Sequence, residues 1–407
     1  MSHMYQLELT VNPANDFIKN VTVMGWGVKC CIRVVMRLSL FLYSLELLRL
    51  CSGDRQLPNP VIGGYANWGE CGSEVISRVE EGVNLVFWFS INLSPTSPPS
   101  GGPNLDCVAN ISLTLRARGL PTTHMISVGG WDAPHPVGGT PTQFFNSWKN
   151  WNENTVSRPG FEGGFDGIDW DLEGNDDVAS PWNYLSKETL DIVGGMSSLA
   201  KAAGYLVTLV PCESYFDVST SGFSRNLSLT YPDWHTDFNY HGRNPYSYLW
   251  SRYPLAFDAV TIQLYESFSH AGYNISILEQ RPADYLQLWV RQLALGYWVN
   301  FSSDPALGYE SAMVSLPSPQ LIIGLANGWA GGTGGGGPKS LLIMPQEVAV
   351  AFTSLETSGF PLPRGVAFWC IGEEGKVPLG QGTPLFMASA LNSFLHTRNT
   401  TRETKVF

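Results

Sequence analysis

The chain has 407 residues, of which 44% are hydrophobic and 14% are charged, a composition that excludes a disordered or coiled-coil protein. Its net charge of −11 at pH 7 repels phosphate backbones and no basic stripe offsets it, which argues against nucleic-acid binding. The length allows more than one domain, but α/β barrels of this size occur as a single unit.

The first 57 residues contain a stretch, Met36–Gly53, that is similar to a signal peptide. Arg37 precedes an apolar run and small residues close it, although Glu46 and Arg49 interrupt its end. A structural helix is the alternative, and the run is too short to span a bilayer. Seven Asn-X-Ser/Thr sequons, where chance supplies about two or three, favour a secretory history. We treat residues 1–57 as an N-terminal segment, signal-like or a misassigned start, and expect a secreted monomer without a membrane span.

From residue 58 onward, short β-rich apolar runs alternate with stretches long enough for a crossover helix. The eight runs are Val61–Tyr65, Asn84–Ser90, His124–Val128, Gly167–Leu172, Tyr205–Pro211, Ala259–Leu264, Leu321–Leu325 and Gly365–Trp369. Helical spacing occurs in Ser186–Ala203, Asp284–Leu295, Pro345–Thr357 and Leu385–Leu395. This alternation predicts an α/β protein with a closed (β/α)8 TIM barrel over residues 58–398, followed by a tail, 399–407. An open doubly wound sheet is the alternative.

Four of the seven cysteines lie in the predicted barrel. Cys71 and Cys107 follow the first two predicted strands, where a disulfide and two reduced thiols are both open. Cys212 and Cys370 are expected as buried thiols. Neither a Cys-X-X-Cys nor a His-Glu-X-X-His spacing occurs, so we expect no metal and no cofactor.

The fourth predicted strand carries the strongest chemical signal. In it three apolar residues alternate with three acids, in the order Ile168, Asp169, Trp170, Asp171, Leu172, Glu173. Successive side chains of a strand point to opposite faces, so the apolar face should pack on the helices and the acids should point into the upper barrel interior. Burying like charges this closely is costly, so at least one acid should hold a proton near neutral pH.

Two structural explanations fit the acids less well. A solvated acidic face would not alternate with Ile, Trp and Leu. A calcium loop would need an acid at its closing position, where Ser180 stands, and a preceding helix.

The strand resembles the DxxDxDxE signature of glycoside hydrolase family 18, the chitinases and related endo-N-acetylglucosaminidases, from Asp166 to Glu173. Trp170 is larger than the aliphatic residue usual in that family, but it is predicted to face outward. Four further segments resemble the family's strand motifs in the same order along the chain. They are Val61–Trp68, Ser127-Val128-Gly129-Gly130, Gln263-Leu264-Tyr265 and Phe368-Trp369.

The resemblance implies a catalytic role for four residues. Glu173 would protonate the glycosidic oxygen and then act as the base toward water. Asp171 would accept the acetamide N–H of the substrate, whose own acetamide oxygen is the nucleophile. Asp169 would share a proton with Asp171. Tyr265 would hydrogen-bond the acetamide oxygen.

Other residues are expected around this centre. Trp369 would stack under the sugar, Gln263 and Glu213 would be further substrate-binding residues, and Trp131 and Trp329 would line subsites. Gly129 and Gly130 would allow close backbone approach. Tyr65 is either a site wall or a core residue, and Ser127 is a buried hydrogen-bonding residue rather than a nucleophile. Glu213 and Glu266 fall on the catalytic face, whereas Asp166, out of phase with the other acids, would be structural.

The expected activity is that of a chitinase that hydrolyses β-1,4-linked N-acetylglucosamine polymers with retention of configuration. An endo-β-N-acetylglucosaminidase acting on N-glycans is the nearest alternative. A chitinase-like lectin is the alternative from another class, but such proteins typically lack the terminal acid, which is present here as Glu173. About 39 residues separate the seventh and eighth predicted strands, too few for an extra domain beside the cleft, which favours an open groove.

Overall fold

The structure, a computed structural model, describes residues 7–11, 18–23, 55–67, 69–175, 177, 179–227, 243–265, 269–328, 341–378 and 381–403. The chain divides into two compact units, Met1–Arg55 and Gln56–Phe407. In the first unit the strands Leu7–Val11 and Ile18–Val23 pair antiparallel. The signal-like stretch Met36–Gly53 lies outside the described residues.

The second unit is a closed barrel of eight parallel strands. They are β1 (Val61–Ala66), β2 (Leu85–Asn92), β3 (Thr123–Gly130), β4 (Gly167–Leu172), β5 (Leu206–Leu209), β6 (Ala259–Gln263), β7 (Leu321–Ala326) and β8 (Gly365–Trp369). Each strand pairs with the next, and β8 pairs with β1 through Val366 and Ile62, which closes the sheet. The predicted (β/α)8 barrel is confirmed, and the open sheet is excluded.

Helices surround the barrel. They are α1 (Ser73–Glu80), α2 (Leu105–Ala117), α3 (Pro141–Trp151), α4 (Lys187–Ala202), α5 (Pro245–Arg252), α6 (His270–Ser276), α7 (Pro282–Leu295), α8 (Pro345–Thr357) and α9 (Met387–Glu403). Local signals start several of them. Thr140 and Gln143 form a capping box at α3, and proline occupies the first turn of α3, α5, α7 and α8. Helix α9 begins two residues later than predicted and continues to Glu403, past the predicted start of the tail.

The barrel strands are buried on both faces, because one apolar layer covers their outer face and another covers their inner face. The outer layer lies between strands and helices and contains Ile168, Trp170 and Leu172 of β4. The inner layer fills the barrel and contains Phe87, Phe89 and Met125, among others. The acids of β4 therefore face the barrel interior, as the alternation predicts.

Two further features lie outside the barrel strands. Cys71 and Cys107 form a disulfide that joins the start of α1 to α2, so the disulfide alternative is confirmed. Cys212 and Cys370 are buried and lie outside any disulfide, as expected. An antiparallel pair, Tyr297–Val299 with Ala312–Val314, precedes β7. Within the described residues, no helix is long and apolar enough to cross a membrane.

Candidate active site

The acids of β4 lie at the carboxyl end of the barrel, where the active sites of such folds are built. Asp169 is fully buried, Asp171 is 5% exposed and Glu173 is partly buried. On the opposite face, Trp170 Nε1 donates to Ser197 Oγ of α4 at 2.9 Å, which fixes the roll of the strand. A hydrogen bond to a helix thus holds the outer face of the strand, while its acids point into the barrel.

Three hydroxyl groups surround Asp169. Ser127 Oγ donates to Oδ2 at 2.9 Å, Tyr65 OH donates to the same oxygen at 3.1 Å, and Thr208 Oγ1 donates to Oδ1 at 2.5 Å. Ser127 and Thr208 are the register partners of Asp169 on β3 and β5, so strand pairing itself brings them together. Ser127 is the buried hydrogen-bonding residue that the sequence predicts.

The surroundings of Asp169 act on its pKa in opposite directions. Burial raises the pKa from its ordinary value of 3.8 to about 6, because the charged form loses its hydration. The three hydroxyls lower it, since they donate to the carboxylate. Asp169 is therefore poised to change charge in the mildly acidic range.

The Gln263 side chain bridges Asp171 and Glu173. Gln263 Nε2 at the end of β6 donates to Asp171 Oδ1 at 3.1 Å and to Glu173 Oε1 at 2.8 Å, and it also donates to the Val210 carbonyl at 2.8 Å. Burial raises the pKa of both acids, and the charge of Glu173 further raises that of Asp171. A hydrogen bond between the two carboxyl groups raises the pKa of Asp171 and lowers that of Glu173, although burial keeps both above their ordinary values.

Asp169 and Asp171 differ in what they contact. The oxygens of Asp169 accept hydrogen bonds from three hydroxyls, and the charge of Asp169 raises the pKa of Asp171. The proton that the sequence suggests between these two acids stays a prediction.

Two residues hold the main chain around the acids. His135 Nε2 lies 3.0 Å from the Glu173 carbonyl oxygen, and its Nδ1 lies 3.3 Å from the Tyr184 carbonyl oxygen. Tyr246 OH accepts from the Leu172 N–H at 2.6 Å and donates to the Leu172 carbonyl at 3.1 Å. The row of acids is thus fixed by its backbone as well as by its side chains.

Gly129 and Gly130 at the end of β3 have φ angles of 103° and 105°. A Cβ at Gly129 would lie 2.3 Å from the Asp171 carbonyl oxygen, and one at Gly130 would lie 2.3 Å from the Phe89 ring. Both positions therefore need glycine, for conformation and for space. This is the close backbone approach that the sequence predicts beside the acids.

Trp369, Phe89 and Tyr65 form an aromatic cluster beside Asp169. The Trp369 ring, partly buried, meets the Phe89 ring edge-on at 4.8 Å between centroids and the Tyr65 ring at 5.8 Å. Burial, and then the charges of Glu173 and Asp171, raise the pKa of Tyr265 well above its ordinary value of 10.0, so its hydroxyl stays protonated. The sequence leaves open whether Tyr65 is a site wall or a core residue. The Tyr65 side chain is buried, like a core residue, and it also donates a hydrogen bond to Asp169.

Three other predicted positions have contacts or exposures of their own. Glu213 is 1% exposed, and its carboxylate accepts from Tyr285 OH and, at 2.8 Å, from the N–H of Ala271 in the first turn of α6. Its contacts are therefore those of a structural anchor, because protein donors engage both of its oxygens. Trp131 is 52% exposed after β3. Asp166 accepts from the His124 N–H at 2.8 Å, as a structural residue would. Glu266 and Trp329 lie outside the described residues.

Sequence reasoning missed three contributors to the site. Thr208 could have been found as the one polar residue of an otherwise apolar strand, Leu206–Leu209. His135 and Tyr246 carry no local signal, because they lie 38 and 74 residues from the backbone groups they bind. Folding alone brings them to the acids.

The architecture is that of an α/β barrel with a buried carboxylate cluster at the mouth of its strands. No protein-family model matches the sequence, and no curated protein matches it. Among solved structures, a fungal endo-beta-N-acetylglucosaminidase of glycosyl hydrolase family 18 has a TM-score of 0.50 at 17% identity, over 84% of this chain and 99% of that chain. The chain therefore shares the barrel fold of that structure.

Two further solved structures are similar to the chain. The catalytic domain of a family 18 chitinase from the fern Peteris ryukyuensis has a TM-score of 0.48 at 14% identity, over 82% of this chain and 99% of that chain. A putative chitinase A from Streptomyces coelicolor has a TM-score of 0.48 at 17% identity, over 83% of this chain and 98% of that chain.

Proposed function

We propose that the chain is a glycoside hydrolase that cleaves β-1,4-linked N-acetylglucosamine polymers, with retention of configuration and the substrate's acetamide as nucleophile. The observation that carries the proposal is the Asp171–Glu173 pair at the barrel mouth, which Gln263 bridges and in which burial raises both pKa values. A carboxyl group that keeps its proton to a higher pH is what a general acid needs.

In the first step Glu173 donates its proton to the glycosidic oxygen, and the bond from that oxygen to the anomeric carbon breaks. The acetamide oxygen of the same sugar attacks the anomeric carbon and forms an oxazolinium ring. Asp171 accepts the acetamide N–H, and its negative charge stabilises the ring. The Tyr265 hydroxyl, which its raised pKa keeps protonated, donates to the acetamide oxygen and orients it.

In the second step the ionised Glu173 removes a proton from water, which attacks the anomeric carbon and opens the ring. Two inversions at one carbon give a product with the original β configuration. The charge of Asp169 raises the pKa of Asp171, and Trp369 packs against the apolar face of the sugar. The disulfide between Cys71 and Cys107 supports secretion, because disulfides persist mainly in oxidising compartments.

The experiment is a comparison of product masses from chitin oligosaccharides and from a high-mannose glycopeptide, with NMR of the freshly released anomer. Chitin oligosaccharides should be cleaved, and the first product should be the β anomer. Partly deacetylated chitosan should yield new reducing ends that are almost entirely N-acetylglucosamine, because the attacking group is the acetamide.

Four outcomes would contradict the proposal. Cleavage of the glycopeptide alone would replace chitin by N-glycans as the substrate. An initial α anomer, or abundant glucosamine at new reducing ends, would exclude the acetamide as nucleophile. Binding of either oligosaccharide without cleavage would favour the lectin.

A further inference from the structure

One buried residue holds the peptide group that follows Trp369. Asn327, directly after β7, is fully buried. Its main-chain N–H donates to the Trp369 carbonyl oxygen at 2.9 Å, and its Oδ1 accepts from the Cys370 N–H at 2.7 Å. Asn327 therefore binds both polar atoms of this peptide group, one through its main chain and the other through its side chain.

The other end of the Asn327 amide is also fixed. Its Nδ2 donates to Glu374 Oε1 at 2.6 Å. Glu374 in turn accepts from the N–H groups of Met387 at 2.9 Å and Ala388 at 3.1 Å, in the first turn of α9. A carboxylate at this place satisfies N–H groups that the helix itself leaves unpaired. The end of β8 is thus tied through Asn327 and Glu374 to the start of a helix.

These contacts determine how the amide is oriented. The nitrogen faces a carboxylate and the oxygen faces an N–H, so the reverse orientation would place donor against donor and acceptor against acceptor. Loss of the oxygen would leave the Cys370 N–H buried without that acceptor, which favours a turn of the peptide group. Trp369 is the residue directly before this peptide group. A rotation of the peptide group would therefore move the Trp369 ring relative to the rings of Tyr65 and Phe89.

We propose that Asn327 is a positioning residue that fixes the Trp369 ring as the floor of the sugar site and thereby sets affinity for the oligosaccharide. This inference rests on the proposed function, in which Trp369 contacts the sugar. It assigns to Asn327 an effect on binding rather than on the proton transfers of Glu173, because the hydrogen bonds described for Asn327 go to the main chain of Trp369 and Cys370 and to Glu374.

The experiment measures the dissociation constant of chitotetraose by calorimetry in the inactive Glu173→Gln background. Asn327→Ala should weaken binding by about threefold to tenfold, the effect of one lost hydrogen bond on the position of the ring. Asn327→Asp combined with Glu374→Gln keeps an acceptor for the Cys370 N–H and places an amide N–H opposite the new carboxylate, so this double variant should bind within about twofold of the parent. In the active background, Asn327→Ala should raise KM and leave kcat within about twofold.

Glu374→Gln is the matched control for stability. It weakens the cap of α9, because one amide oxygen cannot replace two carboxylate oxygens, but it leaves the Asn327 contact to Cys370 intact. It should lower the melting temperature and leave the dissociation constant unchanged. If Asn327→Ala does not fold, Asn327→Ser replaces it, since a serine hydroxyl is too short to reach the Cys370 N–H.

The outcomes separate this inference from the proposed function. If Trp369→Ala weakens chitotetraose binding and Asn327→Ala does not, the inference is wrong and the site assignment stands. If Trp369→Ala also has no effect, Trp369 does not contact the sugar, and both are wrong at this position. If Glu374→Gln weakens binding as much as Asn327→Ala, general destabilisation explains the result and the inference fails.

Discussion

Replacing Thr208 by valine tests the electrostatic description of the buried acid Asp169. The change keeps the shape of the side chain and removes the hydroxyl that donates to Asp169 Oδ1 at 2.5 Å. A hydrogen bond to a charged group contributes about 1.5–3 kcal/mol, and one pKa unit corresponds to about 1.4 kcal/mol. The pKa of Asp169, about 6 in the parent, should therefore rise by about one to two units.

The sign of the stability change follows from proton binding. Because the folded pKa of Asp169 lies above its ordinary value of 3.8, the native state binds the proton more tightly than the unfolded chain does. The contribution of Asp169 to the free energy of unfolding therefore falls, by about 3 kcal/mol in the parent, as the pH rises from 3.8 to about 6. In the valine variant this contribution should go on falling until the pH passes the higher pKa of Asp169. The variant should therefore be less stable than the parent by about a further 1.5–3 kcal/mol at mildly alkaline pH.

The assay is urea unfolding of parent and variant at about pH 5 and about pH 8.5, which lie on either side of both pKa values for Asp169. Thr261→Val is the matched control, because Thr261 is 1% exposed on the neighbouring strand β6 and its hydroxyl has no hydrogen-bond partner among the described residues. Its effect should not change with pH. If Thr208→Val destabilises the protein equally at both pH values, the hydroxyl does not control the ionisation of Asp169 and the reasoning is refuted.

Three further predictions concern catalysis and stability. Glu173→Gln should lower kcat by several orders of magnitude while chitotetraose still binds, and a loss below about tenfold would contradict the acid/base role. Trp369→Ala should raise KM for chitotetraose by about tenfold while the barrel stays folded, and an unchanged KM would remove Trp369 from the sugar site. Replacing Cys71 and Cys107 together by serine should lower the free energy of unfolding by about 4 kcal/mol, since the disulfide closes a loop with a sequence separation of 36. Equal urea midpoints for the variant and the oxidised parent would show that this cross-link does not stabilise the fold.

The barrel strands could be predicted because their signal is local. Each is a short apolar run whose bounds the structure reproduces within a few residues, and Gly167–Leu172 and Gly365–Trp369 agree at both ends. The orientation of β4 could also be predicted from local sequence. Alternate residues of a strand point to opposite faces, which separates Ile168, Trp170 and Leu172 from the acids. Helix α9 was less well predicted, because nothing in its composition marks an end near residue 395.

The sequence by itself therefore determined the eight strands, the inward row of acids and the candidate role of each acid by its resemblance to known motifs. Only the tertiary structure decided what each acid contacts. Asp169 is bonded to Tyr65 across 104 residues, and Gln263 reaches Glu173 across 90 residues. Such contacts depend on the register between strands and on the closure of the barrel, neither of which local periodicity specifies. For the same reason Gln263 bridges Asp171 and Glu173, and Glu213 is bonded to α6, because residues distant in the sequence supply the hydrogen-bond partners of these carboxyl groups.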